Sequence, residues 1–367
     1  MNENLNKAAA LGQGIWIDSI SRDDLVDGGA LHRMVEDGVV GVTSNPSIFQ
    51  KAISESELYD EQLEEASGET DDAKEIFWKL AVRDIQDACD ILAPVYERTA
   101  TKDGYVSLEV SPDIGYDAPK TVDEALMLHE LVDRPNLLVK IPATQPGLAA
   151  IEEVVRNGKS VNVTLIFSLE RYRTVAQAYV RGLQRLVAEG GDPSEVASVA
   201  SFFVSRVDSE GDKRLDEVGE PDLKGKLAIA NAKLAYAEFK DIFSGEDWAF
   251  LESKGARKQR PLWASTSTKN PEYPDTIYVD NLVGPDTVNT MPASTLEATM
   301  DHAEVNPNAL AEGLDDAKRL LKRLREAGVD YHDVTETLEE EGVRKFIDSF
   351  DELLEGIMSK TRQVVSQ

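Results

Sequence analysis

NLLVKIPA (136–143) is a short apolar run with a single charge in it, Lys140. Seven more runs of similar character occur along the chain. They are GIWIDSI (14–20), GVVGVTSN (38–45), GYVSLEVSP (104–112), SVNVTLIFS (160–168), VASVASFFVSR (196–206), RPLWASTST (260–268) and TIYVDNLVG (276–284). Most are separated by stretches with helical periodicity. Short apolar runs alternating with helices indicate a parallel sheet covered on its faces. Eight such units predict an α/β fold, a closed (β/α)8 TIM barrel, with additional N- and C-terminal helices. The 367 residues are read as one domain, 1–367.

Strand side chains alternate between faces, so the polar residues inside these runs can be sorted by parity. In NLLVKIPA, Leu137, Val139 and Ile141 share one face, and Lys140 lies with Leu138 on the other. In GYVSLEVSP, Val106, Leu108 and Val110 oppose Ser107, Glu109 and Ser111. In SVNVTLIFS, Val161, Val163 and Leu165 oppose Asn162 and Thr164. Asp18 opposes Ile15 and Ile17, and Thr43 and Asn45 oppose Val40 and Val42. Strands under helices have no solvent face. The polar set therefore points into the barrel, where residues at the C-terminal strand ends do chemistry. Parity leaves two readings of Lys140. It is a neutral amine nucleophile for carbonyls, or it is the buried ion-pair partner of Glu109 or Asp18.

Helices are legible between the strands. ETDDAKEIFWKLAVRDIQDACDILAPVYE (69–97) has an acidic start and a long apolar stripe. SLERYRTVAQAYVRGLQRLVAEGG (168–191) starts at a serine and stops at a glycine pair. DLKGKLAIANAKLAYAEFKDIF (222–243) is a third. DSEGDKRLDEVGEPD (208–222) reads as a polar loop, and two more helices follow Pro307, the last carrying TLEEEGVRKFIDSFDELLEGIMSK (337–360).

Lys and Arg number 39 and Asp and Glu 68, a net charge of −29. That balance disfavours nucleic acid and anionic membranes as partners, and any phosphate site needs its own local cations. No run is long and apolar enough for a membrane span, and the N-terminus does not read as a signal peptide. The single cysteine, Cys89, allows no internal disulfide and sits at helical spacing among core residues; a reducing cytoplasm fits this. The four histidines are scattered and match no zinc spacing, so no metal is expected.

LVKIPAT (138–144) resembles the Schiff-base strand of transaldolases. TSNPSIF (43–49), VSLEVSP (106–112), NVTLIFS (162–168), SFFVSR (201–206), WASTSTKN (263–270), YVDNLVG (278–284) and TMPASTLEATMDHA (290–303) resemble other motifs of that family, in the family's order. The resemblance covers nearly the whole chain and is closest to the longer bacterial form. It implies a cofactor-free enzyme that moves a dihydroxyacetone unit from sedoheptulose 7-phosphate to glyceraldehyde 3-phosphate, in the non-oxidative pentose phosphate pathway. It implies that Lys140 forms the Schiff base, that Glu109 is an acid/base acting through a water held by Thr164, and that Asp18 lies at the cleaved carbon–carbon bond. Asn45 and Asn162 match sugar contacts, and Ser201 and Arg206 match phosphate positions. Lys269 stands where many relatives carry an arginine nearby, and Phe203 is placed as a wall of the site.

A fructose 6-phosphate aldolase of the same superfamily would use the same lysine and release free dihydroxyacetone. A nicotinamide dehydrogenase is disfavoured because no strand is followed by GxGxxG. A glycosidase could use Asp18 and Glu109 as its carboxylate pair, leaving Lys140 without a role. A non-catalytic sugar-phosphate-binding barrel would not need Lys140, Glu109 and Asp18 together.

Overall fold

The structure, a computed structural model, describes residues 1–365; Ser366 and Gln367, at the end of the expected domain, lie outside the described residues. Eight strands form a closed barrel in chain order: β1 (Gln13–Asp18), β2 (Gly41–Thr43), β3 (Tyr105–Glu109), β4 (Leu137–Pro142), β5 (Val161–Ile166), β6 (Ser198–Phe203), β7 (Arg260–Ala264) and β8 (Thr287–Met291). Every neighbouring pair is parallel, and β8 closes the ring on β1. The outward valines and isoleucines of the strands are buried under the surrounding helices. Trp16 fills the lower interior beside β2. A Cβ on Gly41 would lie 2.5 Å from the Trp16 ring, so glycine makes room for the indole there.

Seven of the eight expected runs contain a strand. The eighth does not. TIYVDNLVG folds as a short helix, Ile277–Asn281, and the last strand is TVNTM, ten residues later. Thr287 and Asn289 share the parity of Gln13 and Ile15 across the β1–β8 register. Thr287 accepts a hydrogen bond from Gln13 Nε2 (2.9 Å), and Asn289 accepts one from Thr266 Oγ1 (2.8 Å). Hydrogen bonds do here what apolar packing does on the other strands, so β8 lacks an apolar run.

Leu165 also departs from expectation. The β5–β6 register shifts between Val163 and Ile166, and Leu165 has a φ of 61°. An extra residue in a strand breaks alternation. The Leu165 side chain consequently reaches the mouth of the barrel, where a Cβ on Gly342 would meet its Cδ2 at 3.1 Å.

The expected helices form over Ala73–Arg98, Leu169–Ala188 and Leu227–Ile242. Asp72 caps the first, and Ser168 caps the second by accepting from Arg171 N. Cys89 is buried in the first, where burial pushes its thiol pKa up. The supposed polar loop is instead a helix, Ser205–Val218. Its inner face carries carboxylates as well as Val207 and Leu215. Asp208 accepts from Ala228 N (2.7 Å) and Tyr278 OH (2.9 Å), and Asp212 accepts from Gly225 N (2.8 Å) and Tyr273 OH (2.6 Å). A buried face made of bonded carboxylates reads as solvent-exposed in the sequence.

The chain ends in two helices, Leu314–Glu326 and Tyr331–Val365. The second crosses the C-terminal mouth of the barrel. Arg171 holds it through both Glu339 oxygens (3.0 and 3.2 Å), and Phe350 packs edge-on against Phe77 at 5.6 Å. Near its end, Lys360 donates to Ile53 O (2.9 Å) and pairs with Asp60 (2.9 Å). No helix among the described residues is long and apolar enough to cross a membrane.

Candidate active site

The barrel register places the inward polar residues next to one another. Glu109 of β3 aligns with Lys140 of β4, Lys140 with Asn162 of β5, and Asp18 of β1 with Thr43 of β2. Lys140 Nζ donates to Glu109 Oε2 at 2.9 Å and to the Ser44 carbonyl at 3.0 Å. Both side chains of the pair are more than nine-tenths buried. The Phe346 ring of the C-terminal helix lies 5.4 Å from Nζ and closes the site from above. Burial raises the Glu109 pKa, and the adjacent Lys140 charge opposes that rise without cancelling it.

Asp18 shares this enclosure. Its Oδ1 accepts from Thr43 Oγ1 at 2.6 Å, and Thr43 Oγ1 lies 2.6 Å from Thr290 Oγ1. Burial raises its pKa as well, against the pull of Lys140, Thr43, Arg206 and Lys269 in that order. Two carboxyls with raised proton affinity lie around one lysine, an arrangement suited to moving protons.

Asn162 is fully buried with both ends of its amide engaged. Its Nδ2 donates to Ser107 Oγ (3.0 Å), and its Oδ1 accepts from Ser201 Oγ (2.7 Å). Ser201, expected at a phosphate position, thus turns its hydroxyl to Asn162. Thr164 Oγ1 is buried without a hydrogen-bond partner among the protein atoms, which suits a position that holds a water. Asn45 ends β2 and caps the helix Pro46–Glu55, its Oδ1 accepting from Ile48 N at 3.1 Å.

Arg206 lies in the first turn of the helix that follows β6, past the strand end where parity no longer applies. Its guanidinium stacks over Phe203 at 5.3 Å, and Phe203 packs on Phe167 at 5.1 Å. Asp208 does not pair with it; that carboxylate is committed to Ala228 and Tyr278. Lys269 follows β7 and donates to Ser267 Oγ at 2.6 Å. Burial lowers the pKa of both cations, and the Arg206 charge lowers Lys269 further. Among the described residues neither forms an ion pair. Two neighbouring cations left unpaired in a chain of charge −29 mark a position for an anion.

The expected residues therefore gather in two adjoining groups. Lys140, Glu109, Asp18, Thr164 and Asn162 line the barrel interior, and Arg206, Lys269 and Phe203 stand at its rim. Thr43 and Ser107 were on the inward parity but had no assigned role. Phe346 and Glu341 had no signal at all, since nothing local ties a helix near the C-terminus to the mouth. Glu341 lies close enough to raise the Arg206 pKa against its burial. Asp280, inside the run TIYVDNLVG, lies in the short helix Ile277–Asn281 and accepts from Thr276 Oγ1 (2.9 Å) and Glu304 N (2.9 Å).

Residues 15–357 match the family model described as Transaldolase/Fructose-6-phosphate aldolase. The chain is 50% identical to a protein from Frankia alni named Transaldolase, over 96% of each chain. It is equally identical to one of the same name from a Parafrankia species, over 100% of each. A Transaldolase from Mycolicibacterium smegmatis is 48% identical over 96% of each.

Proposed function

Because the chain belongs to the transaldolase/fructose-6-phosphate aldolase family, we propose that it is a transaldolase working through a Schiff base on Lys140. It would transfer a dihydroxyacetone unit from sedoheptulose 7-phosphate to glyceraldehyde 3-phosphate, giving erythrose 4-phosphate and fructose 6-phosphate. The observation that carries the assignment is the buried Lys140–Glu109 contact at 2.9 Å, with Asp18 in the same enclosure.

The raised proton affinity of Glu109 and its contact with Lys140 support a role for Glu109 as the base that takes the ammonium proton and frees the amine. The amine lone pair attacks the ketose carbonyl carbon. Glu109, with a water held by Thr164, returns protons to the carbonyl oxygen, which leaves as water as the C=N bond forms. Asp18 takes the proton from the hydroxyl on the far side of the bond to be cut. That oxygen's electrons form an aldehyde, and the C–C bond pair flows into the protonated imine to give an enamine. Asn162 and Asn45 hold the three-carbon enamine, Ser201 fixes the Asn162 amide, and Arg206 with Lys269 binds the phosphate. The second aldehyde reverses these steps. We place this activity in the cytoplasm, in the non-oxidative pentose phosphate pathway.

Incubation with fructose 6-phosphate, borohydride reduction and peptide mapping test this directly. A three-carbon adduct on Lys140 is expected, with turnover that depends on an aldehyde acceptor. No adduct, or one on another lysine, defeats the mechanism. Rapid release of dihydroxyacetone without an acceptor would identify the aldolase chemistry instead.

A further inference from the structure

The opposite face of the barrel carries a second cavity, of about 470 Å³, at the N-terminal ends of the strands. Tyr105, Ser198 and Arg260, the first residues of β3, β6 and β7, open onto it. None of the residues assigned to transfer reaches this face. The rim carries Lys102, Arg257, Lys258 and Arg260 against Glu252 and Asp286. The local balance is thus positive in a chain of charge −29.

Arg260 is neutralised by Asp103 at 2.9 Å, but Arg257 and Lys258 are positioned without a carboxylate partner among the described residues. Arg257 Nη1 donates to the Thr101 carbonyl (3.0 Å) and the Tyr105 hydroxyl (3.1 Å), neither of which carries charge. Lys102 meets Asp286 only at 3.8 Å, with both side chains nearly half exposed. Arg260 is 7% exposed. Its Nη2 donates to Lys102 O (2.6 Å) and Asp103 Oδ1 (2.9 Å), and the same Asp103 oxygen accepts from Trp16 Nε1 (3.3 Å). The other terminal nitrogen, Nη1, is buried with no hydrogen-bond partner.

The backbone around the cavity is held in an unusual conformation. Ala100 (φ 49°), Thr101 (φ 64°) and Asp286 (φ 56°) all line it with left-handed backbone. Such conformations persist where surrounding structure enforces them, often at ligand sites. The strain has a visible use here. It presents the Thr101 carbonyl to both Arg257 and the Tyr105 hydroxyl.

We propose that this cavity binds the phosphate group of a small phosphorylated metabolite, with Arg257 and Lys258 as its donors. A planar guanidinium fork suits phosphate oxygens. The volume is that of a small-ligand site, and the acidic remainder of the surface disfavours an extended polyanion.

The test titrates inorganic phosphate into the full chain by calorimetry, at pH 8 and fixed ionic strength. Two sites are expected. Arg257→Ala/Lys258→Ala should weaken one at least tenfold while leaving sugar transfer unchanged. Arg206→Met should weaken the other. Arg260→Met risks misfolding through the loss of the Asp103 contact, which is why the surface pair carries the test. If the double variant binds as many phosphates as before with unchanged affinity, the site does not exist. If sodium chloride at matched ionic strength displaces phosphate from this face as well as added phosphate does, the attraction is diffuse and the proposal fails.

Discussion

Glu109 and Lys140 together decide when the amine is available. Replacing Glu109 with Gln removes the base and keeps the shape. Imine formation should slow by roughly 10²–10⁴-fold, the usual contribution of a positioned acid/base, while donor binding changes far less. Single-turnover borohydride trapping measures the first and equilibrium binding to a trapping-incompetent Lys140→Met chain the second; equal losses would make Glu109 a structural residue. A second titrating group lies away from the chemistry. Burial pushes the Asp208 pKa up to about 7. Its unfolded value is about 4, so between pH 4 and 7 the folded state holds a proton that the unfolded state lacks. This stabilising contribution is complete below pH 4 and is lost as pH rises through 7. Asp208→Asn should remove it, changing the slope of unfolding free energy against pH in that window by up to about 1.4 kcal/mol per unit. Urea denaturation of both chains at several pH values reads the slope, and parallel curves would show that Asp208 does not titrate there.

The helix Tyr331–Val365 acts as one element, pinned by Arg171 at one end and Lys360 at the other. Phe346, 6% exposed, is the part of it that covers Lys140. Phe346→Ala should lower stability by about 3 kcal/mol, as expected for an aromatic removed from a packed site. It should also admit water to the enamine. The expected signature is a higher ratio of free dihydroxyacetone released to dihydroxyacetone transferred, assayed with and without acceptor. An unchanged ratio would mean that the ring packs without guarding the intermediate. This element also shows where sequence reading stops. Lys140, Glu109, Asp18 and Asn162 were legible because alternation along a covered strand has only two outcomes. Phe346 was not, because its role depends on where a helix near the end of the chain docks, and no periodicity encodes that. Leu165 was misplaced because a bulge adds a residue without a sequence mark. The helix Ser205–Val218 looked like a loop because its buried Asp208 and Asp212 are satisfied by backbone N–H groups and tyrosines on other segments. β8 was missed for the same reason: its partners Gln13 and Thr266 are remote in sequence.

At the scale of the whole molecule, the charge of −29 sets a conflict between the surface and the substrate. Part of the acidity is absorbed locally. Arg181 and Arg185 of the helix Leu169–Ala188 pair with Glu152 and Glu153 of the neighbouring helix Gln145–Arg156. The excess still faces a dianionic sugar phosphate arriving from solution. That repulsion is long-range, so it responds to salt. The Debye length falls from about 30 Å at 0.01 M to about 10 Å at 0.1 M. Arg206 and Lys269 act within contact distance and are screened less. Adding sodium chloride over that range should therefore raise kcat/KM for a phosphorylated donor, roughly 2–10-fold by analogy with steering effects of opposite sign. The same titration with an unphosphorylated ketose donor should leave kcat/KM nearly flat, because no net charge is being repelled. If both donors respond alike, salt is acting on the fold and not on the approach. If the phosphorylated donor slows from the first addition, the rim cations dominate the field at the mouth, and the acidic surface leaves the approach of the substrate unimpeded.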